Sequence, residues 1–247
     1  YAVLAALNTP HVNISTIEDP IEYRIPGINQ SQVSPKAGFT FAIGLRSLLR
    51  QDPNIIMVGE IRDAETADIA INAALTGHLV LSTLHTNDAI TAIPRLLDLG
   101  APAFLIAQTA SMISAQRLVR KICSHCIAPY VLTKETNAEL EAQFDMKTIR
   151  ASLARLNLPS KDGNVGGFFK GAGCAQCGGE GYRGRLAIHE ILEVTPEISS
   201  LIYTRAPANK LQEAAKAQGM VTLTEDAFLK AAQGLTTIDE IVRVAKE

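Results

Sequence analysis

Short, wholly apolar runs alternate with longer amphipathic ones along the first hundred residues. Residues 12–17, rich in β-branched side chains, predict a strand, and residues 55–58 and 79–83 predict two more. Runs apolar at every position suit strands buried on both faces, as in a parallel sheet. Between them, residues 39–50 set Phe41, Leu45, Leu48 and Leu49 on one helical face. Residues 64–76 and 88–99 read as helices, the second closed by Gly100, and residues 1–9 read as the tail of a helix ending near Asn8 and Pro10. The stretch after residue 18, punctuated by Pro20, Pro26-Gly27 and Pro35, reads as a loop. Strands and helices in this order imply an α/β fold with a parallel, doubly wound sheet that holds ligands at the carboxyl ends of its strands.

The pattern changes after Ala101. Residues 104–120 read as helical and then extended, 133–156 as a helical insert, 159–181 as Gly-rich, and 185–194 as a strand. From 195 to 247 the pattern is helical, with boundaries at Pro196, Pro207, Gly219 and Gly234. Three parts follow: a core over 1–118, a cysteine-bearing subdomain over 119–187 and a helical region over 188–247.

Bulk properties narrow the class. A chain of 247 residues, 47% apolar, can bury a sizeable core. A net charge of −2 with 19% charged residues does not advertise nucleic acid or an anionic membrane. No apolar run approaches the roughly 18–20 residues of a membrane span. The first residue is Tyr1 and no signal-peptide pattern follows, so the chain is expected to be an excised piece of a longer intracellular protein. Its four cysteines fall in two Cys-x-x-Cys pairs, Cys123/Cys126 and Cys174/Cys177, which point to a closed, structural Zn²⁺ site and not to disulfides.

The remaining chemistry lies in three clusters. Glu18-Asp19-Pro20-Ile21-Glu22 follows the first strand, Gly59-Glu60-Ile61-Arg62-Asp63 the second, and His78 and His85 flank the third. A carboxylate after a buried strand can hold Mg²⁺ or its waters, a second can orient an attacking water, and arginines can stabilise developing charge. Taken singly, each has a plain alternative: Glu60 paired with Arg62, an acidic loop, polar caps on a strand. No Lys follows a Gly anywhere in the chain, so the GxxxxGK[ST] phosphate loop is absent from it.

In combination the clusters are specific. The segments IEDPIEYRIPGINQSQVSPKAGFTFAIGLRSLLRQDP, IIMVGEIRD and TGHLVLSTLHTNDA resemble the Asp box, Walker B segment and His box of the type II secretion and type IV pilus assembly ATPases. The resemblance continues through GYRGRLAIHEIL and GMVTLTEDAFLKAAQGLTTIDEIVRV to the C-terminus. It implies an incomplete RecA-like sheet followed by the zinc-binding tetracysteine subdomain and the helical region. By position, it implies that Glu22 activates water and that Glu60 acts on Mg²⁺ and the γ-phosphate side, although either acid can take the base role. It implies nucleotide-side roles for Glu18, Asp19, Thr83, His78 and His85. Arg46, Arg50 and Arg62 match family arginines that act at subunit boundaries or pair with the acids. The implied cofactors are ATP and Mg²⁺ beside the zinc. The implied assembly is a cytoplasmic homo-hexamer, peripheral to the inner membrane, working on a membrane platform protein and not on nucleic acid. The tetracysteine insert favours the assembly and secretion branches over pilus retraction. Because the family's phosphate loop would end just before Tyr1, the chain alone is expected to be inactive; the alternative is a non-catalytic, zinc-containing interaction module or degenerate paralogue.

Overall fold

The computed structural model describes residues 1–155 and 167–245. The end of the expected helical insert, at residue 156, and the start of the Gly-rich stretch, through residue 166, lie outside them. In chain order the elements are α1 (Ala2–Leu7), β1 (Ile14–Glu18), β2 (Asn29–Gln32), α2 (Phe41–Leu48), β3 (Ile55–Val58), α3 (Ala64–Leu75), β4 (Leu79–Ser82), α4 (Ala92–Asp98) and α5 (Ala103–Thr109). There follow β5 (Met112–Ile122), β6 (Ile127–Tyr130), α6 (Lys134–Gln143), α7 (Met146–Arg155), β7 (Phe168–Gly171), β8 (Tyr182–Glu193), α8 (Pro196–Tyr203), α9 (Ala208–Ala217), α10 (Leu223–Ala232) and α11 (Ile238–Ala245). The chain divides into two compact units, Tyr1–Ile113 with Glu193–Ala215, and Ser114–Leu192 with Lys216–Glu247.

The first unit holds a four-stranded, all-parallel sheet in the order β2-β1-β3-β4. Strand β3, Ile-Ile-Met-Val, shows why its sequence is apolar throughout. Ile55 packs with Leu4 of α1 and Ile14 of β1 on one face, while Ile56 and Val58 pack with Leu45, Leu48, Ala67 and Ala70 of α2 and α3 on the other. Helix α2 approaches β1 closely at Gly44, where an added Cβ would lie 2.6 Å from Ile17 Cδ1. The Thr40 and Asp63 side chains cap α2 and α3 by accepting from the N–H groups of Ile43 and Thr66.

Two sequence expectations are corrected here. Residues 29–32 are a strand, not loop: β2 pairs in parallel with β1, from Ser15 opposite Asn29 to Glu18 opposite Gln32. Its residues, Asn-Gln-Ser-Gln, carry no hydrophobic period, and none of them is buried; β4, the other edge strand, is likewise not buried although its sequence, Leu-Val-Leu-Ser, reads as a buried strand. The helix expected from residue 88 starts at Ala92; Asp88 instead accepts the Thr91 N–H at 2.7 Å in the preceding turn.

In the second unit β5 and β8 pair as a two-stranded sheet and β6 and β7 as an antiparallel pair. The core gathers Ile149 and Leu153 of α7, Phe168 of β7, Ile188 of β8, and Phe228 and Ile241 of the last two helices. Glu240 of α11 is fully buried. It accepts the backbone N–H of Arg120 at 2.7 Å and ion-pairs with the guanidiniums of Arg120 at 2.8 Å and Arg243 at 3.0 Å. Burial would raise its carboxyl pKa, but the two arginines outweigh burial and hold it at about 2. No helix among the described residues is long and apolar enough to cross a membrane.

Candidate functional site

Parallel pairing brings the carboxyl ends of β1, β3 and β4 into line. Ile17 stands opposite Val58, and Val58 opposite Ser82, so Glu18, Gly59-Glu60 and Thr83 share one edge. Backbone bonds extend that edge: the Gly59 N–H donates to Ile17 O at 2.7 Å and the Ile61 N–H to Thr83 O at 3.1 Å. Thr83 Oγ1 donates to Gly59 O at 2.6 Å. The strands approach closely at Gly59, where an added Cβ would lie 3.2 Å from both Glu18 Cα and Ile17 O.

Glu60 is 8% exposed, yet its carboxylate meets two cationic or protonatable side chains. Arg62 Nε lies 2.6 Å and His85 Nε2 2.8 Å from the same oxygen, Oε2. Arg62 and His85 are both exposed, so a buried acid anchors two solvent-facing groups. Asp19 and Arg62 line a cleft of about 300 Å³ together with Thr40, Phe41, Asp63 and Glu65. Arg46, on α2, pairs with Glu65 at 2.8 Å, and Arg50 is exposed in the 3₁₀ turn Leu49–Gln51.

The acids of the first cluster differ. Glu22 is exposed on the loop after β1. Glu18 is 3% exposed, and its oxygens are taken by the Tyr1 and Thr16 hydroxyls and, at 3.1 Å, by Gln30 Nε2. Burial, with the Glu18 carboxylate beside it, pushes the Tyr1 phenol pKa up. Tyr1 and Gln30 are contacts that sequence reasoning missed; the alternation of Gln30 and Gln32 is a weak signal for the second, and nothing local in the sequence marks the first. His78 is placed differently from His85. It precedes β4, at the opposite, amino edge of the sheet, where Nδ1 lies 2.9 Å from Ala73 O and 3.1 Å from Thr76 Oγ1 at the end of α3.

In the second unit the four cysteine sulfurs lie within 4.8 Å of one another. The separations are 3.9 Å for Cys123–Cys174 and Cys126–Cys177, and 3.7 Å for Cys174–Cys177. A tetrahedron of thiolates about 2.3 Å from a zinc ion has sulfur–sulfur edges of about 3.8 Å, so the donor set fits that ion. The loops close tightly: a Cβ on Gly171 would meet Gly181 O at 2.0 Å, and the Cys123 N–H donates to Gly181 O at 2.9 Å. Burial pushes the Cys126 thiol up to about 12. Burial acts on Cys177 as well, but the N–H groups of Cys174 and Gly181, at 3.3 and 3.2 Å, outweigh it and bring Cys177 down to about 6.

Residues 1–243 match the family described as Type II/IV secretion system protein. The chain belongs to that family. Among its curated relatives is the type IV pilus assembly ATPase PilB of Thermus thermophilus, 49% identical over 242 residues, which are 98% of this chain and 25% of that protein. The type II secretion system ATPase E of Vibrio cholerae is 43% identical over 247 residues, covering all of this chain and 45% of that protein. The chain thus spans between a quarter and just under half of these two relatives. Of solved structures, the pilus retraction motor PilT with bound ADP superposes with a TM-score of 0.65 at 27% identity, covering 100% of this chain and 55% of PilT. The α/β fold with its parallel sheet is therefore similar to the fold of PilT.

Proposed function

We propose that this member of the Type II/IV secretion family is part of an ATP-hydrolysing motor for type IV pilus assembly or type II secretion. The observation that carries the reading is Glu60: a buried acid at the carboxyl end of a central parallel strand, with Arg62 and His85 on one oxygen. A site that must hold charge at a sheet edge needs such an acid, fixed by the backbone beneath it and balanced by neighbouring cations. In this reading Glu60 is the group that would hold Mg²⁺ or its waters, and Glu22 orients the attacking water. Mg²⁺, when bound, neutralises the charge on the phosphates. Thr83, Asp19 and His85 contribute at the same edge and Glu18 supports it from beneath, while His78 holds the end of α3 at the opposite edge. Arg62 balances Glu60 in the resting site, while Arg46 and Arg50 act toward a neighbouring protomer of a homo-hexamer at the cytoplasmic face of the inner membrane, against a platform protein.

The four thiolates hold a structural Zn²⁺ ion in the same reading. Their sulfur spacing and the N–H donors on Cys177 support it, and four protein ligands leave no position for a substrate.

The test is Glu60→Gln in the full-length protein, followed by binding of a fluorescent ATP analogue with Mg²⁺ and by phosphate release. The expected result is retained binding with turnover lost. Normal turnover would remove Glu60 from the site, and failure of the unmodified full-length protein to bind nucleotide would move the chain to the non-catalytic interaction class.

A further inference from the structure

Glu22 is exposed on a stretch, residues 19–28, with little regular structure of its own. Its internal backbone contributes one turn bond, from the Ile28 N–H to Ile25 O at 3.3 Å. Side chains from outside the stretch do the rest. Tyr1 Oη donates to Glu18 Oε2 and accepts the Glu22 N–H at 3.1 Å, so one hydroxyl bridges the buried acid and the backbone of the exposed one. Gln30 makes three contacts: Nε2 donates to Glu18 Oε1 at 3.1 Å and to Tyr23 O at 3.1 Å, and Oε1 accepts the Ile25 N–H at 2.7 Å. Gln32 Oε1 accepts the Ile21 N–H at 3.3 Å, and the Tyr1 and Tyr23 rings meet edge to face at 4.5 Å.

We propose that Tyr1, Glu18 and Gln30 are positioning residues, a clamp that fixes residues 21–25 and with them the Glu22 carboxylate at the carboxyl edge of the sheet. The proposal rests on the reading of Glu22 given above. A buried carboxylate satisfied by three neutral side chains, with no cation among them, is costly to desolvate, and an apolar residue would fill the space more cheaply. What the acid supplies is direction: each of its oxygens fixes a side chain that in turn holds the backbone of the following loop. The polar composition of β2 has the same explanation, since Gln30 and Gln32 both point hydrogen-bonding groups at that loop. Displacing a catalytic group by an ångström costs on the order of a hundredfold in rate, so loosening such a clamp has a measurable effect.

The experiment compares Tyr1→Phe and Gln30→Met with Glu22→Gln in the full-length protein. Both clamp variants keep side-chain volume and remove hydrogen bonds. The expected result is a fall in kcat for MgATP of about tenfold or more with KM within about twofold, and amide exchange at residues 21–25 at least about tenfold faster. In a Glu22→Gln background, Tyr1→Phe should add little further loss, because both act through one group. Unchanged exchange in both clamp variants overturns the clamp whatever the activity. Faster exchange with unchanged kcat, while Glu22→Gln is inactive, also overturns it, because the contacts then stabilise the loop without positioning the acid. Normal turnover in Glu22→Gln, by contrast, refutes the assignment of Glu22, and the clamp is then judged on exchange alone.

Discussion

His85 Nε2 lies 2.8 Å from Glu60 Oε2 and so ties the loop after β4 to the end of β3 across 25 residues of sequence. An ionised carboxylate can only accept, so Nε2 is the donor of this contact whenever Glu60 carries its charge. The contact also places an exposed imidazole on a buried acid, so the histidine can move without disturbing the core.

Replacing His85 by Ala should therefore separate activity from stability. The His85 side chain is 73% exposed, and substitutions at such positions change stability by about 0.5 kcal/mol or less. Phosphate release by the full-length variant is expected to fall by about a hundredfold or more, the usual scale for a group that handles protons in the reaction, while the melting temperature stays level.

Gly59→Ala should do the reverse. The new methyl would sit 3.2 Å from Glu18 Cα and Ile17 O, backbone atoms of the neighbouring strand that cannot rotate away. Overpacking of this kind costs about 1–3 kcal/mol, which urea unfolding would report as a lower midpoint with an unchanged slope.

Glu240 predicts a pH dependence. Its carboxyl is held at about 2, below the ordinary value of 4.5, so its contribution is present above the unfolded value and is lost as pH falls from 4.5 through 2. Glu240→Gln leaves Arg120 and Arg243 without their buried anion and should cost about 3 kcal/mol near neutral pH. Denaturant unfolding at several pH values would check this: the gap between the two proteins should narrow as the solution is acidified below about pH 4.

Cys123→Ser removes a buried ligand from the four-sulfur cluster. With the four thiolates holding zinc as proposed, elemental analysis is expected to find one ion per chain in the parent and none in the variant. The variant should also lose amide protection in β6 and β7, because structural zinc binding contributes folding energy directly. A zinc-free variant that melts like the parent would contradict this.

Much of the fold is written locally. Strand β3, helix α3 and the α8–α11 boundaries can be read from periodicity, caps and prolines, because helix and buried-strand patterns depend on near neighbours. The cysteine pairs are legible for the same reason: metal-ligand spacing is a short-range property. Strand β2 was not, since an edge strand made of Asn, Gln and Ser needs no apolar face and its partner, β1, is fixed only by parallel pairing across an intervening loop. The histidines show the same limit. Seven residues apart and equally prominent in sequence, His85 reaches Glu60 while His78 caps α3 at the other edge, because a four-residue strand runs between them and carries its two ends to opposite sides of the sheet. Residue types and local elements follow from chain-neighbour chemistry, whereas the partners of Glu18 and Glu60 depend on which strand ends the parallel sheet brings together.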